Sequence, residues 1–393
     1  MEKRFVYADN SATTRVCDEA VSAMMPFFTE EYGNPSSIYP FASESKKALE
    51  GARKTVAQVL GAIPDEIIFT GGGTEADNHA ICGVARANIK KGRHIVTSAI
   101  EHHAVLHTFE RLKREGFEIT YVPVDENGVV TPEALSAAVK PGTTLVSIMA
   151  ANNEIGTIQP IAELARIAHE AGAVFHTDAV QAAGHIAINV REMGIDMLSL
   201  SGHKFNGPKG VGLLYVKKGT LAQRFMEGGG QEKGRRSGTE NVAGIVGMAK
   251  ALEISVAHME AEAVRLGALR KKLEAGILAI PHTRLTGHPE NRLPGLCSCV
   301  IEYIEGESLV LMLGLNGICA STGSACSTGS LDPSHVLMAI GLPHEVAHGS
   351  LRLSLGRYST EEDVDYILEK LPEIVKTLRA MSPVWPGNCD GTL

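Results

Sequence analysis

The sequence is short of cysteine pairs, of basic charge and of long apolar runs. Its seven cysteines are an odd number at irregular spacings, with no Cys-x-x-Cys pair, so neither a disulfide framework nor a closed zinc site is indicated. Lys and Arg number 37 against 45 Asp and Glu, giving a formal net charge of -8. The sequence also has no block of basic residues, so we expect no nucleic-acid partner. The expected partners are small molecules and proteins.

No apolar run approaches the roughly 18 residues that a membrane span needs. The Met-Glu-Lys-Arg beginning leads into a mixed segment without the apolar core of a signal sequence. We therefore expect a cytoplasmic protein with reduced thiols and no membrane partner. At 393 residues, 44% of them hydrophobic, the chain is long enough for one large and one smaller domain.

Short apolar segments alternate with helical patterns over the first half of the chain. The predicted strands are Ile67–Phe69, His94–Ser98, Glu118–Val124, Thr144–Met149, Ala173–Thr177, Met197–Leu200 and Val211–Val216. The predicted helices between and before them are Cys17–Thr29, Ser43–Leu60, Thr74–Asn88, His103–Arg114, Pro132–Val139 and Ile161–Glu170. This alternation favours an α/β fold with a mainly parallel sheet, whose ligands bind beyond the carboxyl ends of the strands.

The pattern changes after a charged, Ala-rich stretch, from about Glu253 to Ile280, that is predicted to be helical. Beyond it, the predicted strands Leu296–Tyr303 and Leu351–Ser354 are mixed with helices in the manner of an α+β unit. We therefore predict a large domain over residues 15–255. Residues 1–14 and 256–393 are predicted to form a smaller α+β domain.

Lys204 lies on a short Gly-rich connection between two of the predicted strands. Burying an unpaired lysine costs several kcal/mol, so a lysine there is solvated, paired or chemically used. A lysine amine in a semi-apolar setting suits Schiff-base formation with a carbonyl cofactor such as pyridoxal phosphate. A solvated loop lysine is the alternative.

The segment from Phe69 to Asn78 reads as a strand, a triple-glycine turn and a helix start. It predicts Thr74 as the helix N-cap, with Asp77 three residues on. Glycines let main-chain N–H groups approach a ligand, and the helix dipole favours an anion, so this turn predicts a phosphate site. A plain tight turn explains it equally well, since neither a Gly-x-Gly-x-x-Gly nor a P-loop pattern is present.

Polar groups also follow other predicted strands. Asp178 closes an apolar strand, either as a helix cap or as a functional carboxylate of the kind that keeps a pyridinium nitrogen protonated. Glu101-His-His103 follows another strand with an imidazole that can stack on an aromatic ring or cap a helix. Ala151-Asn-Asn-Glu-Ile-Gly156 offers amide donors at the same edge. The ends of four strands are therefore predicted to converge on one crevice.

Two further groups stand out in the second half of the chain. Cys326 lies in a Ser/Thr/Gly-rich loop where a thiol can react, whereas Cys297, Cys299 and Cys319 lie in or beside apolar segments and are expected to pack as small hydrophobic groups. Arg352 alternates with apolar residues on a predicted strand. It is a candidate carboxylate clamp, with a structural ion pair as the alternative.

His344-Glu-Val-Ala-His348 matches a zinc-protease pattern. That pattern needs a helix long enough to present both imidazoles. Pro343 precedes it and Gly349 follows it, so we predict no metal site here.

Taken together, the motifs resemble those of the pyridoxal-phosphate-dependent cysteine desulfurases of the NifS/IscS type, which have the fold type I architecture of class V aminotransferases. The resemblance runs from Tyr7-Ala-Asp-Asn-Ser-Ala-Thr-Thr to Pro383-Val-Trp. Its most specific motifs are Gly33-Asn-Pro-Ser-Ser, Thr74-Glu-Ala-Asp-Asn, Glu101-His-His, Asn152-Asn-Glu-Ile-Gly, Ser201-Gly-His-Lys, Arg236-Ser-Gly-Thr, Gly306-Glu-Ser, Ser324-Ala-Cys and Arg352-Leu-Ser-Leu-Gly-Arg. Gly71-Gly-Gly stands where the family has Ser-Gly-Ala.

The resemblance implies a role for each matching residue. Lys204 would be the Schiff-base lysine, His102 the ring-stacking and acid/base residue, and Cys326 the persulfide carrier. The remaining implied cofactor contacts are Gly73, Thr74, Asn153, Asp178, Gln181, Ser201 and His203, with Thr239 supplied by the second subunit of a homodimer. Asn34 and Arg352 would lie near the substrate.

The resemblance also implies an activity. The expected reaction converts L-cysteine to L-alanine and leaves a persulfide on Cys326, for delivery to an iron-sulfur scaffold or another sulfur acceptor. It further implies a seven-stranded sheet in a cofactor-binding large domain. A selenocysteine lyase, an aminotransferase and a catalytically idle sulfur-delivery partner are the alternatives.

Overall fold

The structure, a computed structural model, describes residues 4–323 and 333–386. The strands of this part are β1 Val6–Tyr7, β2 Ile67–Thr70, β3 His94–Ser98, β4 Glu118–Val122, β5 Thr143–Ser147, β6 Val174–Asp178, β7 Met197–Ser201, β8 Gly212–Val216, β9 Thr283–Leu285, β10 Leu296–Ile301, β11 Ile318–Cys319 and β12 Ser350–Ser354. The helices are α1 Asp18–Met24, α2 Pro26–Thr29, α3 Ser43–Leu60, α4 Gly73–Ala87, α5 His103–Arg114, α6 Pro132–Ala138, α7 Ile161–Glu170, α8 Val242–Leu278, α9 Gly306–Leu315, α10 His335–Ala339, α11 His344–Ala347 and α12 Glu361–Met381.

Seven strands form a central sheet in the order β2-β8-β7-β6-β5-β3-β4. Strand β8 pairs antiparallel with both its neighbours, and the other six strands share one direction. The predicted α/β fold with a mainly parallel seven-stranded sheet is therefore confirmed. The six strands of common direction have their carboxyl ends at the same edge of the sheet. The loops that follow them meet at this edge, where a ligand site is expected.

Both faces of the central sheet are covered by helices, because alternate strand residues point to opposite sides. Phe69 and Leu213 pack on the side of α1, α3, α6, α7 and the first half of α8. Their strand neighbours Ile68 and Leu214 pack on the side of α4 and α5. Two apolar layers thus hold the sheet.

Helix α8 begins eleven residues before the predicted position and runs for 37 residues. Asn241 caps it by accepting a hydrogen bond from the N–H of Gly244 at 3.0 Å. Its early turns are rich in small residues, and a side chain at Gly247 would collide with Met24 of α1. Close packing against α1 and α3 therefore stabilises a segment that helix propensity alone does not favour.

By length and composition α8 is apolar enough to cross a membrane, with a mean hydropathy of 1.3 in its most apolar window. A buried core helix passes the same test, and 44% of that window is buried within the fold. Its residues Ile245, Met248 and Leu252 belong to the core beneath the central sheet, which accounts for their apolar character.

A second, three-stranded antiparallel sheet, in the order β12-β10-β9, lies beyond α8. Its core includes Val6 and Ala8 of the N-terminal arm, which comprises residues 4–14, together with residues between Leu266 and Leu378. The arm reaches it through the parallel pair β1 and β11 and through a bridge from Asp9 to Ser354. The predicted domain boundary at residue 255 stays a prediction, and α8 crosses it without a break.

The local differences from the predicted elements have simple causes. The helix predicted over residues 17–29 is split at Met25, because Pro26 opens a second helix in its own first turn. Strand β9 was not predicted, since its three residues are extended only through pairing with β10.

Candidate active site

A cavity of about 980 Å³ opens at the carboxyl edge of the central sheet. The loops that follow β2, β3, β5, β6 and β7 all reach it, and the N-terminal arm and β12 close it. Its polar lining includes Ser11, Thr13, Thr74, Glu75, Asp77, Asn78, His102, Asn153, Asp178, Gln181, Ser201, His203, Lys204, Lys209 and Arg352. The predicted convergence of strand ends on one crevice is confirmed.

Lys204 ends a short 3-10 turn, Gly202–Lys204, directly after β7. Its Nζ donates hydrogen bonds to the carbonyl oxygens of Ser11 at 2.5 Å and Ala12 at 2.9 Å. The main chain before it is fixed by Thr14, whose N–H and hydroxyl both donate to the carbonyl of His203 at 2.9 Å. The N-terminal arm therefore holds the lysine at the cavity, and the prediction of a freely solvated loop lysine does not apply.

The triple-glycine turn does lead into a helix at the cavity, but Thr74 is not its N-cap. Gly72, with a φ of 151°, takes that position and α4 begins at Gly73. A φ in this range is open to glycine and strained for other residues. A side chain at Gly73 would lie 2.6 Å from Val180, so the turn is closed to any bulk.

The start of α4 has no side-chain cap, and first-turn N–H groups lack partners within a helix. Thr74, Ser201 and His203 line the cavity beside these groups. Burial, with the charge of Lys204, lowers the pKa of His203 to about 4. This end of the cavity therefore offers main-chain N–H groups, hydroxyls and an imidazole, which is a donor set suited to an anion.

Asp178 is the last residue of β6 and lies one strand away from Lys204, as the sequence spacing predicts. Its Oδ1 accepts a hydrogen bond from the N–H of Val180 at 2.9 Å. Burial raises the pKa of this carboxyl group to about 6, against the opposing effects of the Val180 N–H and the Lys204 charge. A cationic group in the cavity would stabilise the charged carboxylate and so offset the cost of burying it. Gln181 beside it donates to the Ser11 carbonyl at 2.9 Å.

A buried polar layer behind Asp178 escaped the sequence analysis. His176 bonds to Ser147 at 2.8 Å through Nδ1 and to Ser199 at 3.0 Å through Nε2, and its Nε2 is 3.7 Å from Asp77. Burial lowers the pKa of His176 to about 3 and, together with Asp178, raises that of Asp77. The available signal was His176 itself, an ionisable residue in the middle of a short strand.

His102 caps α5, which was the alternative prediction for the Glu101-His-His motif, and it also lines the cavity. Its Nδ1 accepts a hydrogen bond from the N–H of Ala104 at 3.1 Å. Burial, followed by the charge of Lys204, lowers its pKa to about 4. Because Nδ1 is an acceptor, the neutral ring carries its proton on Nε2.

Glu101 is fully buried beside His102. Its Oε1 accepts hydrogen bonds from the Ser98 hydroxyl at 2.5 Å and the Met149 N–H at 2.9 Å. Its Oε2 finds no partner within residues 4–323 and 333–386. Burial raises the pKa of this carboxyl group to about 8, despite the two hydrogen bonds.

Arg352 projects from β12 to the wall of the cavity and forms the ion pair that was the alternative prediction. Its Nη2 lies 2.9 Å from Oδ1 of Asp9. Its Nη1 donates to the carbonyl oxygens of Asn153 at 3.0 Å and Gly323 at 3.3 Å. The arginine therefore joins Asp9 of the arm, Asn153 in the loop after β5, and Gly323.

Two of the predicted site residues do not line this cavity. Asn34 and Thr239 are exposed and line none of it. Cys326 lies outside the described residues. The predicted burial of Cys297 and Cys299 is confirmed, and burial raises the pKa of each of these thiols. In the zinc-protease pattern, α11 spans only His344–Ala347, so the helix that this pattern needs is not formed.

Comparison with known proteins identifies the family of the chain. The family model described as Aminotransferase class-V matches residues 6–367. The chain is 58% identical to "Cysteine desulfurase IscS" of Methanosarcina thermophila, over 98% of this chain and 95% of that protein. A solved structure titled "NIFS-LIKE PROTEIN" superposes with a TM-score of 0.90 at 43% identity, over 95% of this chain and all of that one. Another, "SspA in complex with cysteine", gives a TM-score of 0.79 at 36% identity, over 90% of this chain and all of that one.

Proposed function

Because this chain belongs to the class V aminotransferase family, alongside the cysteine desulfurases of the NifS/IscS type, we propose that it converts L-cysteine to L-alanine. The sulfur is kept as a persulfide on Cys326 and passed to an iron-sulfur scaffold or another acceptor protein. The observation that carries the proposal is the meeting of Lys204, Asp178 and Arg352 in one cavity. An amine, a buried carboxylate and a buried guanidinium are what an amino acid and its cofactor require there.

The family depends on pyridoxal 5'-phosphate, and the residues of the cavity fit this group. The start of α4 with Gly73, Thr74, Ser201 and His203 would hold the phosphate. Asp178 would face the ring nitrogen, whose positive charge offsets the cost of burying the carboxylate. The further ring contacts would be Gln181, Asn153 and His102, with Lys204 as the covalent anchor.

When bound, this cofactor withdraws electrons from the α-carbon of an amino acid. The protein supplies the proton transfers. Lys204 moves the α-proton, since its amine is held at the cavity by two carbonyl oxygens of the arm. His102 accepts the thiol proton of the substrate, for which its neutral state is suited.

The sulfur step belongs to Cys326. Its thiolate attacks the sulfur of the substrate, so that a sulfur–sulfur bond forms and the bond between sulfur and the β-carbon breaks. The electron pair of the broken bond stays with the carbon, which takes up a proton and becomes the methyl group of alanine. Cysteine and the enzyme thiol thus give alanine and the enzyme persulfide, with no other reactant.

Arg352 would bind the carboxylate of the substrate. The place of Asn34 near the substrate follows from the family resemblance alone, because Asn34 lines none of the cavity in the single chain. We further propose a homodimer in which the partner subunit supplies Thr239 to the phosphate, which accords with the exposure of this residue in the single chain. The large cofactor-binding unit over residues 15–255, the smaller unit and the cytoplasmic location are part of the same proposal.

The test is to incubate the purified holoprotein with L-cysteine and quantify alanine and protein-bound persulfide. Equal amounts of the two in a single turnover are expected. A keto acid in place of alanine would contradict the proposal in favour of an aminotransferase. Turnover of selenocysteine alone would favour a selenocysteine lyase, and no product from either would leave sulfur delivery without catalysis.

A further inference from the structure

Arg352 has a buried N–H group that meets no hydrogen-bond partner within residues 4–323 and 333–386. Its side chain is only 3% exposed. Both terminal nitrogens are engaged, Nη1 with the carbonyls of Asn153 and Gly323 and Nη2 with Asp9. Its Nε, in contrast, meets no acceptor in the two described ranges. A buried donor without an acceptor is unfavourable, so this N–H is able to take a further acceptor.

The open N–H lies on the edge of the guanidinium that suits a carboxylate. By covalent geometry, the N–H of Nε and one N–H of Nη2 point the same way and match the two oxygens of a carboxylate. Asp9 meets this edge through Oδ1 alone, at 2.9 Å from Nη2. The Nη2 nitrogen of this edge is therefore already paired with a carboxylate of the protein itself.

The main chain around Asp9 is fixed without the help of its carboxylate. Asp9 forms a parallel bridge with Ser354. The N–H of Asn10 donates to the carbonyl of Ser354 at 3.1 Å, and that of Ser11 donates to its hydroxyl at 2.9 Å. The Asp9 side chain is 19% exposed. It can therefore leave Arg352 while the arm stays in place.

We propose that Asp9 is an internal competitor for the substrate carboxylate, and so a residue that sets substrate affinity. In the free protein it neutralises Arg352 through one oxygen. An incoming amino acid displaces it by engaging both Nε and Nη2. This inference rests on the proposed function only in that Arg352 receives the substrate carboxylate.

The experiment measures binding of propionate to the holoprotein by calorimetry, because propionate has the carboxylate but no amine to react with the cofactor. Propionamide, which has the same shape without the charge, is the control ligand. Asp9→Asn is expected to lower the dissociation constant of propionate on the order of fivefold, the effect of losing one partly buried ion pair. Glu19→Gln is the matched control, since it removes the same charge from another arginine, Arg357.

Arg352→Lys combined with Asp9→Asn is expected to abolish the gain, because lysine lacks the paired edge. Asp9→Ala, with thermal unfolding of each variant, separates a displaced arm from a released arginine. Propionate binding that weakens in both Asp9 variants, or that matches the Glu19→Gln protein, overturns the inference. Tighter propionate binding in a protein that makes no alanine would instead leave the inference standing and remove the proposed reaction.

Discussion

The amine of Lys204 donates a hydrogen bond of 2.5 Å to the main-chain carbonyl of Ser11, which lies 193 residues earlier in the chain. The carbonyl of Ala12 completes the pair at 2.9 Å. Both acceptors are main-chain carbonyl oxygens, which a side-chain substitution at Ser11 or Ala12 does not remove. The position of the Lys204 amine therefore depends on the path of the main chain through the arm. The carboxamide of Gln181 uses the same Ser11 oxygen, which ties the lysine to the strand end that carries Asp178.

Lys204→Ala is expected to lower alanine formation on the order of 10³-fold or more, since both the cofactor anchor and the proton carrier are lost. The absorbance of covalently bound cofactor should disappear in the same protein. Lys217→Ala, which removes a partly exposed lysine paired with Asp196, is the control and should keep both. An unchanged cofactor spectrum in the Lys204 variant would exclude the anchor role.

Replacement of His102 separates its two uses. Asn is a good N-cap, whereas Ala is not, so His102→Ala should cost about 1 kcal/mol more in unfolding free energy than His102→Asn. Both should lower turnover by about 10²-fold, because neither carries an imidazole. Chemical denaturation and steady-state rates provide the two readouts. If His102→Asn turns over like the wild type, the residue is a helix cap alone.

Cys326→Ala is expected to keep the cofactor spectrum and to lose persulfide formation completely. Cys319→Ala is the matched control, as this half-buried thiol is held at a raised pKa by burial. The measurement is mass spectrometry of the protein after one equivalent of cysteine. A persulfide found on the Cys326→Ala protein would place the sulfur carrier elsewhere.

Glu101→Gln should flatten the pH dependence of stability. The carboxyl has its ordinary pKa of 4.5 when unfolded and one of about 8 when folded, so the folded state binds the extra proton between these values. The contribution of Glu101 to the free energy of unfolding of the wild type is therefore greatest below pH 4.5. It falls as the pH rises to about 8, by an amount on the order of a few kcal/mol.

Urea unfolding of the cofactor-free proteins at pH 5 and pH 8 measures this difference. Glutamine keeps an acceptor for Ser98 and Met149 but does not titrate. Glu126→Gln, on an exposed loop, should follow the wild type. The prediction fails if the Glu101→Gln protein loses as much stability between the two pH values as the wild type does.

Much of the central sheet was predictable, because apolar strands and amphipathic helices of ordinary length carry their own periodicity. His94–Ser98, Ser43–Leu60, His103–Arg114 and Ile161–Glu170 have the predicted limits. The start of α8 was not predictable, since Gly244 and Gly247 disfavour a helix, and the packing of Met24 of α1 on Gly247 is a tertiary contact. Gly72 took the N-cap from Thr74 because its backbone angle is one that only glycine adopts easily.

The site was predictable where a reactive residue ends a strand, as Asp178 and Lys204 do. Contacts between distant segments were not. Nothing in the local sequence around Asp9 points to Arg352, and the buried position of Glu101 depends on β5 as well as on β3. Asn34 and Thr239 were named by resemblance only, and their exposed positions in the single chain carry no signal of a cavity.

Helix α8 has a mechanical consequence. Its 37 residues extend about 55 Å at the usual rise per residue. Ile245 and Met248 are embedded beneath the central sheet, whereas Leu273 and Ile277 lie in the core of the three-stranded sheet. The two ends of this one helix are therefore packed in two different apolar cores. Movement of the β12 wall, which carries Arg352, toward Lys204 would therefore require α8 to bend or pivot, although no residue of α8 lines the cavity.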